Sequence, residues 1–336
     1  SGYSVDPAAG VLTTITGSPF ATGASPCLAT NPTGTFLYSI NGSDGNISGF
    51  AIDQASGGLS AVPGSPFAGG TLNLPCSMAV DPTGAYAYVT NNNPISTTVA
   101  GFEISPSTGA LTTLAGSPFT AGTAPGIARM EPIGKYLYVT NAISNDVSGF
   151  AVDAATGALA PVPGSSFSTG TDPTGLAIDP TGRYVYVANG VSNTITGFRI
   201  DPASGALTGI AGSTYSLDTP LSLAVDGTGS FLYAASRFYV ANHYVNDIVS
   251  AYRIDSATGA LTPAPGSPFT AAVSANDMKV DFSGRFLYLA NAEGGTVGDV
   301  SVFSIDAASG LLTQVVGSPF VAGYVPGSVV TTGQIQ

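Results

Sequence analysis

Charge is scarce in this chain of 336 residues: only 8% are Asp, Glu, Lys or Arg, and Lys plus Arg number eight against 20 acids. The net charge of -12 repels polyphosphate, which argues against nucleic acid and against anionic membrane surfaces as partners. No apolar run approaches the roughly 18 residues a membrane helix needs, so membrane insertion is not expected. Two cysteines, Cys27 and Cys76, are too few for a disulfide framework. A single histidine, His243, leaves no His/Cys cluster for a metal. The segment from Asn41 to Asn46 offers oxygen ligands but completes no calcium motif, so neither metal nor cofactor is expected. Helical periodicity of useful length is missing as well.

What the chain has is repetition. The tetrapeptide GSPF starts at Gly17, Gly64, Gly116, Gly266 and Gly317, with GSSF at Gly164 and GSTY at Gly212, a spacing of 47 to 54 residues. Between markers come a short apolar run, a D-P-T-G turn, an aromatic-rich run, an Asn-bounded loop, a run ending in Ile-Asp, and T-G-A-L. Each run is four to eight residues long and rich in Val, Ile, Thr, Tyr and Phe, which reads as a strand. In the fourth unit strands are expected near 176–179, 184–189, 194–201 and 206–211, with Pro180 and Gly182 shaping the first turn. Four-stranded units of this size cover each other's faces when stacked radially, leaving no long open edge. The sequence therefore predicts an all-β, seven-bladed β-propeller as a single domain over 1–336. Blades start near 17, 64, 116, 164, 212 and 266, and a closing blade joins 317–336 to 1–16. Its innermost strand is expected at 325–333 and its outer two at 2–15.

The motifs YVTN at Tyr88 and Tyr138 and YVAN at Tyr186, with the D-P-T-G turns, resemble the YVTN-repeat propellers. These are grouped with the seven-bladed lactonases, which include enzymes like 6-phosphogluconolactonase and the carboxymuconate-lactonising enzyme. The resemblance spans the whole chain. It implies His and Arg near the start of certain innermost strands, with a Glu nearby. The matching stretches here are SPCLAT, LPCSMAV, APGIARM, DPTGLAI and TPLSLAV; none contains His, and only APGIARM contains an arginine, Arg129.

Polar residues that recur at a template position are most simply scaffold. Asp81, Glu131, Asp179, Asp226 and Asp281 fall at the first turn, and Asp6, Asp53, Asp153, Asp201, Asp255 and Asp306 close the third strand. Lys135, Arg183 and Arg285 follow the turn glycine, while Arg199 and Arg253 share one slot. The exceptions carry the functional expectations. Arg129 and Lys279 occupy a position that is Ala29, Ala79, Ala177, Ala224 or Val330 in other blades, and Asp277 is a candidate partner for Lys279. They are read either as space-filling ion pairs or as a small anion site in the channel mouth. The fifth unit has a loop longer by about six residues, with Arg237, Phe238, Tyr239, Asn242, His243, Tyr244, Asn246 and Asp247. Such a loop either packs on its neighbour or binds a small molecule or sugar. His243 and Arg129 are the catalytic candidates, although no partner is legible beside His243. Cys27 and Cys76 each follow Pro at the start of consecutive innermost strands, and a bridge between them is one possibility.

The composition, with Thr, Ser, Asn and Gly in place of Lys and Glu, suggests an exported protein, extracellular or periplasmic. The expected role is a binding or structural scaffold whose partner, a small anionic or sugar-like ligand or another protein chain, sits at the channel mouth and the long loop. Two alternatives stand beside it. One is metal-independent hydrolysis of a sugar-acid lactone. The other is self-assembly, in which the closing blade, short of its second strand, accepts one from another molecule.

Overall fold

The computed structural model describes residues 1–22, 26–42, 44–69, 75–237, 239–240, 243–244, 248–271, 275–292, 297–324 and 326–332, with backbone alone for 26, 75, 76, 239, 240, 243, 244 and 324. Every regular element among them is a strand, and none is a helix that could cross a membrane. Six sheets each follow chain order from an innermost strand A to an outermost strand D, all antiparallel. Sheet three is typical: A is Pro125–Met130, B is Tyr136–Asn141, C is Asp146–Val152, and D is split into Leu159–Pro161 and Phe167–Ser168. Sheet six runs Ala275–Val280, Phe286–Asn291, Val297–Ile305, Leu312–Gln314 and Phe320–Tyr324. In sheet four the strands are Pro173–Ile178, Tyr184–Asn189, Thr194–Ile200 and Leu207–Ser216; B and C fall where expected, A begins three residues earlier and D runs longer.

The motifs have physical roles. GSPF lies within strand D of the preceding sheet: Phe67 pairs with Ile47. Proline cannot donate to the ladder there, and the marker serine accepts the strand C amide, as in Gly49 N–H to Ser65 Oγ (2.9 Å) and Gly101 N–H to Ser117 Oγ (2.9 Å). Sheet four has GSTY, without proline, and there strand D runs unbroken with a bulge. The motif tyrosines Tyr38, Tyr88, Tyr138, Tyr186 and Tyr233 are buried and donate to the C–D turn glycine carbonyl of the next sheet at 2.7 to 3.3 Å. Each such glycine is left-handed; a Cβ on Gly205, at φ +73°, would lie 2.4 Å from Tyr136. The core sits between facing sheets, for example Tyr38, Ile40, Met78, Val89 and Phe102 between sheets one and two.

The template carboxylates serve their turns. Asp179 accepts the amides of Arg183 (2.7 Å) and Tyr184 (2.6 Å), and Asp53 those of Ala55 (3.2 Å) and Ser56 (2.7 Å). Those hydrogen bonds hold the exposed Asp6, Asp53, Asp153, Asp201, Asp255 and Asp306 below the usual carboxylate pKa. The template cations brace neighbouring sheets: Lys135 Nζ donates to Pro202 O (3.1 Å), Arg253 to Ala308 O (2.8 Å) and Arg285 to Pro7 O (2.8 Å).

The closing unit departs from expectation. A two-stranded hairpin, Tyr3–Val5 with Leu12–Thr14, packs on sheet six, where Phe286 covers Gly10, while its Ile15 covers Gly57 of sheet one. It thus bridges the last and first sheets. The described part of the segment expected as its innermost strand, 326–332, forms no strand. An innermost strand pairs only with strand B, and the described residues supply none at this place, so its backbone has no ladder to join. Among the described residues the result is six complete sheets and a hairpin rather than seven four-stranded blades.

Candidate functional site

Strand A of sheet three reads Pro-Gly-Ile-Ala-Arg-Met, and that of sheet six Ala-Asn-Asp-Met-Lys-Val. Pairing places Arg129 opposite Tyr138 and Lys279 opposite Tyr288. The same slot holds Ala29, Ala79, Ala177 and Ala224, each opposite its motif tyrosine and each buried. A methyl suits the crowded interior of the ring, where the innermost strands of adjacent sheets meet. Arg129 and Lys279 put long cations in this slot instead.

Lys279 is exposed, yet the protein around it disfavours its charge. Burial lowers its pKa most, the charge of Arg129 lowers it further, and Asp277 opposes both. Arg129, on another sheet, is thus near enough for its charge to act on Lys279. Arg129 also donates from Nη1 to Ala128 O at 2.9 Å.

Asp277 has a second role. Its Oδ1 accepts the Met278 amide at 2.9 Å, and its Oδ2 accepts the Ser328 hydroxyl at 2.9 Å and the Val329 amide at 3.0 Å. The carboxylate expected to balance Lys279 therefore also fastens the C-terminal segment beside sheet six. Arg237, at the foot of the long loop, donates from Nη2 to Asn276 Oδ1 at 2.7 Å. Sequence reasoning missed Asn276 and Ser328, whose polarity at template positions was the available signal.

The rest of the loop forms a small ribbon, with Tyr239 paired to Tyr244 and Val240 to His243. The side chains of Tyr239, His243 and Tyr244, and residues Phe238, Asn242, Asn246 and Asp247, lie outside the described residues. So does the Cys76 side chain, and with it the bridge to Cys27, which packs partly buried against sheets one and two. Among the described residues no group of three His, Cys, Asp or Glu could hold a metal.

Two neighbouring cations can bind an anion, or polarise a carbonyl and hold the oxyanion that forms from it. A lysine with a lowered pKa also carries more neutral amine near neutrality and can accept a proton.

Residues 74–225 and 218–330 match the family described as lactonase, 7-bladed beta-propeller. No curated protein matches the sequence. In fold the chain is similar to a candidate 6-phosphogluconolactonase from Bacteroides uniformis, at TM-score 0.80 and 18% identity, over 97% of this chain and 92% of the other. A second, from Bacteroides fragilis, gives TM-score 0.78 and 20% identity over 97% and 91%. The periplasmic gluconolactonase of Pseudomonas aeruginosa gives 0.73 and 19% over 96% and 94%. With its six-sheet propeller and these matches, the chain belongs to the lactonase family of seven-bladed β-propellers.

Proposed function

We propose that this propeller hydrolyses a lactone to its hydroxy acid at the Arg129–Lys279 pair. The observation that carries the reading is that Arg129 and Lys279, from sheets three and six, stand in one register position and lie near enough for the charge of Arg129 to lower the Lys279 pKa. Water adds to the lactone carbonyl carbon while the neutral Lys279 amine takes its proton. Arg129 faces the carbonyl oxygen as charge builds on it. The ring C–O bond then breaks, and the leaving alkoxide takes the proton back from Lys279. An oxyanion donor supplies about 10²–10³ in rate and a positioned base about 10²–10⁴.

The names of the family and of its structural neighbours favour this over the scaffold role expected from sequence, in which the same pair holds an anion without turnover. Hydrolysis of glucono-δ-lactone and γ-butyrolactone, followed by acid release, tests it. Arg129→Ala and Lys279→Met are expected to lower kcat at least about 100-fold with the fold intact. No turnover above the uncatalysed rate in the parent overturns the reading. Export belongs to the same proposal, and fractionation of expressing cells checks it.

A second reading has one observation behind it. Val5, on the hairpin, is 41% exposed, whereas Ile104 and Ile200, at the same position of strand C in sheets two and four, are 2% and 3% exposed. The hairpin's free edge suits a strand from a second molecule. Light scattering at rising concentration tests this, and a strict monomer sinks it.

A further inference from the structure

Sheets three and six differ from the others at a second place. The A–B turn reads Asn-Pro-Thr-Gly, Asp-Pro-Thr-Gly, Asp-Pro-Thr-Gly and Asp-Gly-Thr-Gly in sheets one, two, four and five, but Glu131-Pro132-Ile133-Gly134 in sheet three and Asp281-Phe282-Ser283-Gly284 in sheet six. The threonine stabilises its turn, since the hydroxyls of Thr83, Thr181 and Thr228 donate to Asp81, Asp179 and Asp226. Ile133 has no hydroxyl to donate and leaves its side chain 80% exposed. The proline contributes too, presetting φ and packing on the next turn, where a Cβ on Gly134 would lie 3.0 Å from Pro82. Phe282 replaces it and is 56% exposed. Sheet six keeps the hydroxyl bond through Ser283 to Asp281, and sheet five also lacks the proline, with Gly227; what sets sheets three and six apart is a large apolar side chain held in water, which folding alone does not account for.

These are the same two sheets that carry the channel cations. Arg129 and Lys279 lie two residues before their turns, about 7 Å along the strand, and farther from the opposite end. The innermost strands end in these turns, which pack side by side around the axis.

We propose that the A–B turn face is the entrance to the site, and that Ile133 and Phe282 seat a hydrocarbon substituent of a ligand whose polar head lies between Arg129 and Lys279. The ligand class is a lactone bearing an alkyl or aryl group, and the corresponding amphipathic carboxylate. The catalytic half rests on the lactonase reading; the recognition half does not, because a carboxylate needs no turnover to bind. A few methylenes against apolar surface are worth about tenfold or more in discrimination.

The experiment compares γ-butyrolactone with γ-decalactone as substrates, and acetate with octanoate by titration calorimetry. It uses the parent, Ile133→Thr and Phe282→Pro, substitutions that restore the repeat's own turn and so protect the fold. The parent is expected to favour decalactone in kcat/KM, and octanoate in Kd, by about tenfold or more. The two variants together remove that preference while leaving butyrolactone turnover and acetate binding unchanged. A parent without chain-length preference, or variants that keep it, overturns the proposal. If neither lactone is hydrolysed, the lactonase reading falls, and octanoate against acetate still decides the entrance.

Discussion

Arg129 and Lys279 stand in one register position of two sheets, each opposite the motif tyrosine of its own sheet, Tyr138 and Tyr288. The four other sheets place alanine there. A cation in that slot is costly to fold around, and the cost appears in the lowered pKa of Lys279. Stability given up at a shared point is the pattern of a functional site rather than of a scaffold.

That cost has a pH signature. The folded pKa of Lys279 lies below the 10.5 of the unfolded chain, so between the two the unfolded state binds more protons and stability rises with pH. Below the folded pKa both states are protonated and the full penalty remains. Lys279→Met is therefore expected to melt above the parent at pH 7, with the gap closing as pH approaches 10.5. Thermal unfolding of both proteins across that range checks this; a variant that melts lower at pH 7 counts against it.

The bond between sheets is equally testable. Tyr138 Oη donates to Gly205 O at 2.8 Å with both groups buried. Tyr138→Phe keeps the ring and strands the carbonyl, which costs about 1–3 kcal/mol. Urea unfolding should show a lower midpoint with an unchanged slope. A midpoint within error of the parent means this contact does not join the sheets.

Asp277 fastens the C-terminal segment through Ser328 and Val329. Asp277→Ala is expected to speed amide exchange at Val329 more than tenfold while protection at Val139, in sheet three, stays constant. Loss of one charge-assisted amide bond, about 1.5–3 kcal/mol, supports that size of effect. Unchanged exchange at Val329 removes the clamp.

The scaffold was legible because it is repetitive. Strand B of sheet four falls at Tyr184–Asn189, where the pattern puts it, since alternating aromatics between Gly182 and Asn189 leave little choice of register. Strand D of the same sheet runs past its expected end, whereas sheet three, which also lacks the marker proline, keeps a split D, so the marker letters alone do not set that strand's length. The slot shared by Arg129 and Lys279 could be aligned from the turns alone. Their convergence was an inference about ring geometry, and the link from Arg237 to Asn276 was not visible because it joins separate sheets. Ile133 and Phe282 were within reach of the same subtraction, had it been applied to apolar as well as polar departures. The closing unit resisted because a hairpin and a lone segment carry the repeat's letters without the pairing partner that turns them into a blade.

Everything functional here turns on Arg129 and Lys279 sharing one space. The chain has only two lysines, Lys135 and Lys279, so carbon-labelled lysine gives two assignable NMR titrations, with Lys135 as the internal reference. Lys279 is expected to titrate below 10.5 and to move back upward in Arg129→Gln. A Lys279 that titrates at 10.5 or above, and does not respond to the Arg129 substitution, contradicts the shared space.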